Sequence, residues 1–236
     1  MSQRCYFAFN TYIKQLKDLS LNMRIDKILA LPRSLILNIA LFGWGGVKCP
    51  IIFSNDTKIT GLKRNKILMD EKKFGIVSIG FHGSEGLEKN RTSIIIKEGI
   101  IRFKGKANLS SGTSIRVDAG NLIFGNEFSC NNNCFFSCSA GITFGEDVLL
   151  GWNINVRDSD GHVIYKDGIQ KESLKPVSIG DHVWIASFVD ILKGVVIPDG
   201  CVIGYRSCLT GLYTSKNSLI AGYPAREIQG NIEWKH

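Results

Sequence analysis

Every sixth residue from Ile179 onward is aliphatic, so that Ile179, Ile185, Ile191, Ile197, Ile203 and Leu209 form an unbroken column. A second column of small or β-branched residues, Val183, Val189, Val195, Cys201 and Ser207, runs two positions ahead of the first. A period of six matches neither the 3.6 of an amphipathic helix nor the simple alternation of a long strand. It matches a short strand followed by a corner. Three such units close one turn of a triangular prism, whose column residues point inward and stack on their equivalents one coil away. Upstream, Phe103, Leu109 and Ile115 make one triplet, Phe124, Cys130 and Phe136 a second, and Phe144, Leu150 and Val156 a third, with short insertions at the restarts 122–125 and 142–145. The spacing breaks between Val156 and Ile179, where residues 158–175 are polar and rich in turn formers, which predicts a loop projecting from the prism. The solenoid is expected from about Ile94 to Leu212, with weaker extended segments over 51–79 supplying an irregular first coil. A chain with 25 glycines and only 5 prolines suits so many tight corners.

The first fifty residues read differently. Ile13, Leu16, Leu19, Ile28, Leu35 and Ile39 are spaced as on short amphipathic helices interrupted by Pro32, with Lys14, Lys17, Arg24, Lys27 and Arg33 between them. Such helices serve either as a cap over the open end of the solenoid or as a basic membrane-surface segment. Three parts are therefore expected: a partly helical region 1–50, a β-helix 51–228 carrying the loop 158–175, and a tail 229–236.

Composition narrows the function classes. With 44% hydrophobic and 21% charged residues the chain is neither disordered nor fibrous. The uncharged run 34–47 falls short of the about 20 residues that a spanning helix needs. Residues 1–10 lack the pattern of a cleavable signal, so a cytoplasmic protein is expected. Seven cysteines with no C-x-x-C pair suit reduced thiols, and Cys130, Cys134 and Cys201 fall on inward columns as core residues. His82, His162, His182 and His236 show no metal-ligand spacing, so no metal is expected, and His182 reads as a surface residue. A net charge of +8 could accompany nucleic-acid binding, but the cations are scattered and no aromatic-basic motif accompanies them. An anionic small-molecule partner explains the charge more economically.

The segment 179–207, I-G-D-H-V-W-I-A-S-F-V-D-I-L-K-G-V-V-I-P-D-G-C-V-I-G-Y-R-S, followed at 221–226 by A-G-Y-P-A-R, resembles the hexapeptide-repeat acyltransferases, in particular those that O-acetylate sugars and polysaccharides. The likeness covers residues 94–228 well and the N-terminal third only loosely. It implies an all-β solenoid, a left-handed parallel β-helix, that moves an acetyl group from acetyl-CoA to a saccharide hydroxyl in cell-envelope or capsular polysaccharide biosynthesis. It implies a homotrimer with active sites between subunits. Carried over position by position, the family's loop histidine falls at His162 within Asp158-Ser159-Asp160-Gly161-His162, its acceptor-side asparagine at Asn133 before Cys134, and its tryptophan at Trp184. The donor groove maps to Ala186, Gly204, Tyr205, Arg206 and Arg226. The chain departs from the family pattern at Ala186, where glycine is usual, and at Tyr205 and Arg206, where the family usually has Ala-Gly.

The chemistry agrees with these positions. An alcohol attacks a thioester only as its proton is removed, and a histidine is suited to that task near neutral pH. His162 is the candidate base, with Asp158 or Asp160 to orient its imidazole. Backbone N–H groups at 184–186 are candidates to stabilise the developing oxyanion, as is Asn133 unless it orients the acceptor. Trp184 would wall the acyl site or stack on a sugar face. Arg206 and Arg226 would pair with the phosphates of the donor. The acceptor fits an acidic or lipid-linked saccharide, with peripheral membrane contact through the N-terminal region at the inner face of the membrane. The competing reading is a non-catalytic β-helix scaffold or glycan-binding module, which would follow if Ala186, Tyr205 and Arg206 block the groove.

Overall fold

A computed structural model describes residues 21–83 and 89–236. The chain winds as a three-sided prism, and its strands visit face A (nine strands), face B (seven) and face C (six) in turn. Neighbouring strands within each face are parallel, except for the last on face A, Ala225–Gln229, which runs antiparallel to Leu219–Gly222. The expected columns are the stacking axes. Ile185 lies beside Leu150 on one side and Ile203 on the other, and Ile191 between Val156 and Leu209. All six members of the main column and all five of its companion are buried. Phenylalanines take the place of aliphatics in the middle coils. Phe103, Phe124 and Phe144 stack face to face at 5.2 and 5.6 Å between ring centroids, close to the ~4.8 Å between strands that a coil repeat imposes. This is the left-handed parallel β-helix.

The corners follow a rule of their own. At the turn from face A to face B, Gly112, Asn133, Asn153, Phe188 and Arg206 all adopt a positive φ, between 55° and 76°. At the turn from face C to face A, Glu127, Asp147, His182, Gly200 and Asn217 also have a positive φ, between 52° and 71°. A left-handed residue costs about 1–2 kcal/mol when it carries a Cβ, so each corner must be held by contacts from neighbouring coils.

The solenoid begins earlier than the repeat suggests. Strands Ile51–Phe53, Lys58–Thr60 and Ile67–Met69 already occupy the three faces, and Ile51 pairs with Val77 one wide coil later. Before them come helices α1 (Leu21–Leu29) and α2 (Leu31–Phe42), with Pro32 in the first turn of α2, then a 3₁₀ turn Gly43–Lys48. The cap docks by a different side from the one its apolar spacing predicts. Ser34, Asn38 and Leu41 are buried, whereas Ile28, Leu35 and Ile39 face outward. The reason lies in the open edge of face A, where Ile51 and Phe53 have backbone groups with no neighbouring strand on their outer side. Asn38 accepts the Ile51 N–H at 3.1 Å and donates to its carbonyl at 2.7 Å. Ser34 does the same for Phe53 at 2.9 and 3.2 Å, and Arg33 donates to the carbonyls of Ser54 and Thr57. Unpaired edge groups demand polar partners, so the polar side of α2 turns inward. Ile13, Leu16, Leu19, Lys14 and Lys17 lie outside the described residues, as does the side chain of Arg24.

Candidate active site

Residues 158–175 leave the prism between face B and face C as an arm ending in a two-stranded ribbon, Tyr165–Lys166 against Ile169–Gln170. Asp158 sits at its root and is fully buried. Its carboxylate accepts the backbone N–H groups of Ser139 (2.8 and 3.0 Å), Ala140 (2.8 Å) and Gly141 (2.6 Å), the same corner one coil earlier. Asp160 instead pairs with Lys193, Oδ2 to Nζ 2.5 Å. Neither aspartate therefore orients His162, because each is committed elsewhere. His162 is exposed, and no hydrogen bond joins its imidazole to a described residue. Its approach to an incoming hydroxyl is open.

The second group lies on face A. Trp184 begins the strand Trp184–Ile185 and is 39% exposed. Beside it runs a row along the edge towards face B, from Ala186 through Gly204 and Ala221 to Arg226: the Ala186 N–H donates to Ile203, the Gly204 N–H to Ile220, and Ala221 pairs with Arg226. A Cβ on Gly204 would stand 2.7 Å from that of Ala221, so only glycine fits there. At the corner, Phe188 and Tyr205 meet edge to face at 5.6 Å, and the Arg206 guanidinium lies over both rings at 5.6 and 5.5 Å. The five donor-groove positions thus share one edge. The Trp184 and Ala186 N–H groups donate to the carbonyls of Cys201 and Ile203, which removes them as oxyanion donors.

Asn133 holds the corner three coils before Arg206, in left-handed conformation, its N–H donating to Ser111 and its Oδ1 accepting from Asn90 at 2.9 Å. Within one chain the arm with His162 stands between faces B and C, while Trp184 and the small-residue row belong to face A. The topology brings the second group together and leaves the first apart from it.

One cluster escaped the sequence reading. The Trp234 ring stacks on His182 at 4.2 Å, and its Nε1–H donates to the His182 carbonyl. His182 Nδ1 contacts Asp147 at 2.6 Å, and His236 Nε2 reaches the same carboxylate at 2.8 Å. Trp234 also lies 6.3 Å from Trp184, so the tail walls one side of the exposed tryptophan. Burial works against ionisation of Asp147, but hydrogen bonds from the two histidines outweigh it and hold its carboxyl below the usual value. His182 and Asp147 are corner neighbours one coil apart, a relation hidden in the sequence by the arm inserted between them.

No protein-family model matches the sequence. The polysialic acid O-acetyltransferase of Neisseria meningitidis is 28% identical over 183 residues, covering 77% of this chain and 80% of that protein. A 24.8 kDa protein of the cps region of Klebsiella pneumoniae is 28% identical over 187 residues, covering 79% and 82%. The galactoside O-acetyltransferase of Escherichia coli K12 is 32% identical over 111 residues, 46% of this chain and 54% of that one. Among solved structures, the polySia-specific acetyltransferase NeuO aligns over 79% of each chain at 24% identity with a TM-score of 0.45. In sequence the chain is similar to O-acetyltransferases of saccharides, which supports its resemblance to the hexapeptide-repeat acyltransferases.

Against the hexapeptide-repeat acyltransferases that it resembles, the chain departs from the usual Ala-Gly pair at Tyr205 and Arg206, and the corner geometry accounts for the glycine usual there. Arg206 has φ 55°, a conformation that glycine adopts without strain. Here the guanidinium packed on Phe188 and Tyr205 offsets the cost, by about 0.5–1 kcal/mol for such a contact at an exposed site. Thiol chemistry finds no support in this chain, since all six described cysteines are buried. Burial pushes the Cys138 thiol up to about 12, with the Asp158 carboxylate adding to the effect, and it raises that of Cys134 well above the ordinary value.

Proposed function

We propose that this chain transfers an acetyl group from acetyl-CoA to a hydroxyl of a saccharide in cell-envelope or capsular polysaccharide biosynthesis. The observation that carries the reading is His162, an unpartnered imidazole held on an arm that is fixed at its root. Acetyl-CoA supplies an activated thioester. The residues on the face A edge fit such a donor: small side chains at Ala186, Gly204 and Ala221 leave a flat track, with Arg206 and Arg226 beside it for phosphates. His162 takes the proton of the acceptor hydroxyl as the new ester bond forms and passes it to the departing thiolate. Trp184, with Trp234 behind it, offers an aromatic surface for a sugar face. Asn133 orients the acceptor.

Because arm and edge stand on different sides of the prism, the working unit is a homotrimer in which the arm of one copy reaches face A of the next. The acceptor class is an acidic or lipid-linked saccharide, in keeping with a net charge of +8 and with relatives named for polysialic acid O-acetylation. The protein works on the cytoplasmic side and touches the inner face of the membrane through its N-terminal helices. Two observations support that contact. Ile36 and Trp44 are 69% and 91% exposed, and Asp56 is the lone acidic residue between Lys27 and Met69. No helix among the described residues is long and apolar enough to cross a membrane.

The test is consumption of acetyl-CoA against sialic acid oligomers, galactosides and lipopolysaccharide-derived oligosaccharides, with O-acetyl product detected by mass. His162→Ala should retain acetyl-CoA binding and lose turnover by about 10² or more. No binding of acetyl-CoA at millimolar concentration would instead support a scaffold or glycan-binding module.

A further inference from the structure

The arm's internal hydrogen bonds join its two legs to each other. The Asp160 N–H donates to Ser173 at 2.9 Å, that of Lys175 to Asp158 at 3.0 Å and that of Lys171 to Ile164 at 2.7 Å, and Ser159 bridges Leu174. These bonds do not set the angle of the arm to the prism, and an isolated two-stranded ribbon is marginal by itself. Asp158 fixes the root alone. Two residues further along, Lys193 reaches out from the same corner one coil later. Its ammonium donates to Asp160 Oδ2 at 2.5 Å on the outgoing leg and to the Glu172 carbonyl at 2.6 Å on the returning leg. With side chains 22% and 26% exposed, Lys193 and Asp160 form the least exposed ion pair among the described residues. The Gly194 N–H adds a bond to the Lys175 carbonyl, so this corner holds both legs at once. Directly after Asp160 the chain turns at Gly161, φ 78°, and presents His162.

We infer that Lys193 is the positioning residue for His162: by tying Asp160 and Glu172 to the prism it fixes where the imidazole stands relative to the acceptor hydroxyl. The inference rests on His162 being the base. It also gives Asp160 a part in the reaction, exerted through the arm rather than by a hydrogen bond to the imidazole. A misplacement of about 1 Å is enough to cost up to 10²-fold in rate.

The experiment compares Lys193→Met, Asp160→Asn, the double variant and Lys193→Arg with wild type and His162→Ala, using acetyl-CoA and whichever oligosaccharide of the panel above the wild-type chain acetylates best. Each single variant is expected to lower kcat about tenfold, with the KM for acetyl-CoA and the melting temperature close to wild type. The double variant should be no worse than either single one, because both remove the same tie. Lys193→Arg should recover most of the rate. Full kcat in Lys193→Met and Asp160→Asn beside an inactive His162→Ala would overturn the inference and leave the base in place. So would additive losses, or a loss that arginine does not restore. Normal turnover in His162→Ala would remove the base and this inference together.

Discussion

A carboxylate that accepts three backbone N–H groups is committed to a corner, and Asp158 is such a group, fully buried against residues 139–141. Asp158→Asn keeps the shape but turns an amide towards at least one of those donors, leaving buried groups unpaired at about 1–3 kcal/mol each. A clear fall in the thermal midpoint is the expected outcome, measured by circular dichroism, and an unchanged midpoint would show that the corner does not depend on the carboxylate. Asp147 gives a pH effect. Its folded pKa is depressed, so its contribution is full above the ordinary carboxyl value of about 3.9 and is lost as pH falls through the folded value. Protection of the amides in residues 231–236, measured against the exchange of an unstructured peptide at the same pH, should therefore be high at neutral pH and fall in acid below about pH 4. Protection in the tail that is the same at both would contradict the clamp. The segment 158–162 stood out in the sequence as a candidate site, but the direction each aspartate turns did not. The partners of Asp158 and Asp160 lie one coil away on either side, at separations that no local motif records.

The six-residue repeat is the element whose meaning survives every comparison with the structure, because an inward side chain every rung is a condition for closing the prism at all. Ile191→Asp would place a carboxylate between Val156 and Leu209 with no polar partner. Loss of the folded state is expected, seen as a lost cooperative melt. A soluble variant that melts as wild type does would contradict the inward register. The N-terminal helices were legible as helices and misleading as to their buried side, since hydrophobic spacing says nothing about which backbone groups an edge strand leaves unpaired. Asn38→Ala would strand the N–H and carbonyl of Ile51 beneath α2. A loss of about 2 kcal/mol or more in denaturant unfolding is expected, against less than about 0.5 kcal/mol for exposed Ile36→Ala.

At the scale of the whole molecule, the prism separates two groups that the proposed reaction needs together. His162 projects from the turn between faces B and C, whereas Trp184 and the row from Ala186 to Arg226 lie on face A. The sequence carried both groups but not their separation, which depends on which face each rung occupies once the arm has interrupted the count. A second copy resolves the conflict if its arm reaches the first copy's face A. The direct measurement mixes two variants expected to be inactive, His162→Ala, which lacks the proposed base, and Ala186→Trp, which fills the edge beside Gly204. After verified subunit exchange, some interfaces would join an intact arm to an intact edge, and acetyl transfer should return to a measurable fraction of the wild-type rate. Continued inactivity of the exchanged mixture, or a monomeric mass for the fully active enzyme, would contradict a site shared between copies.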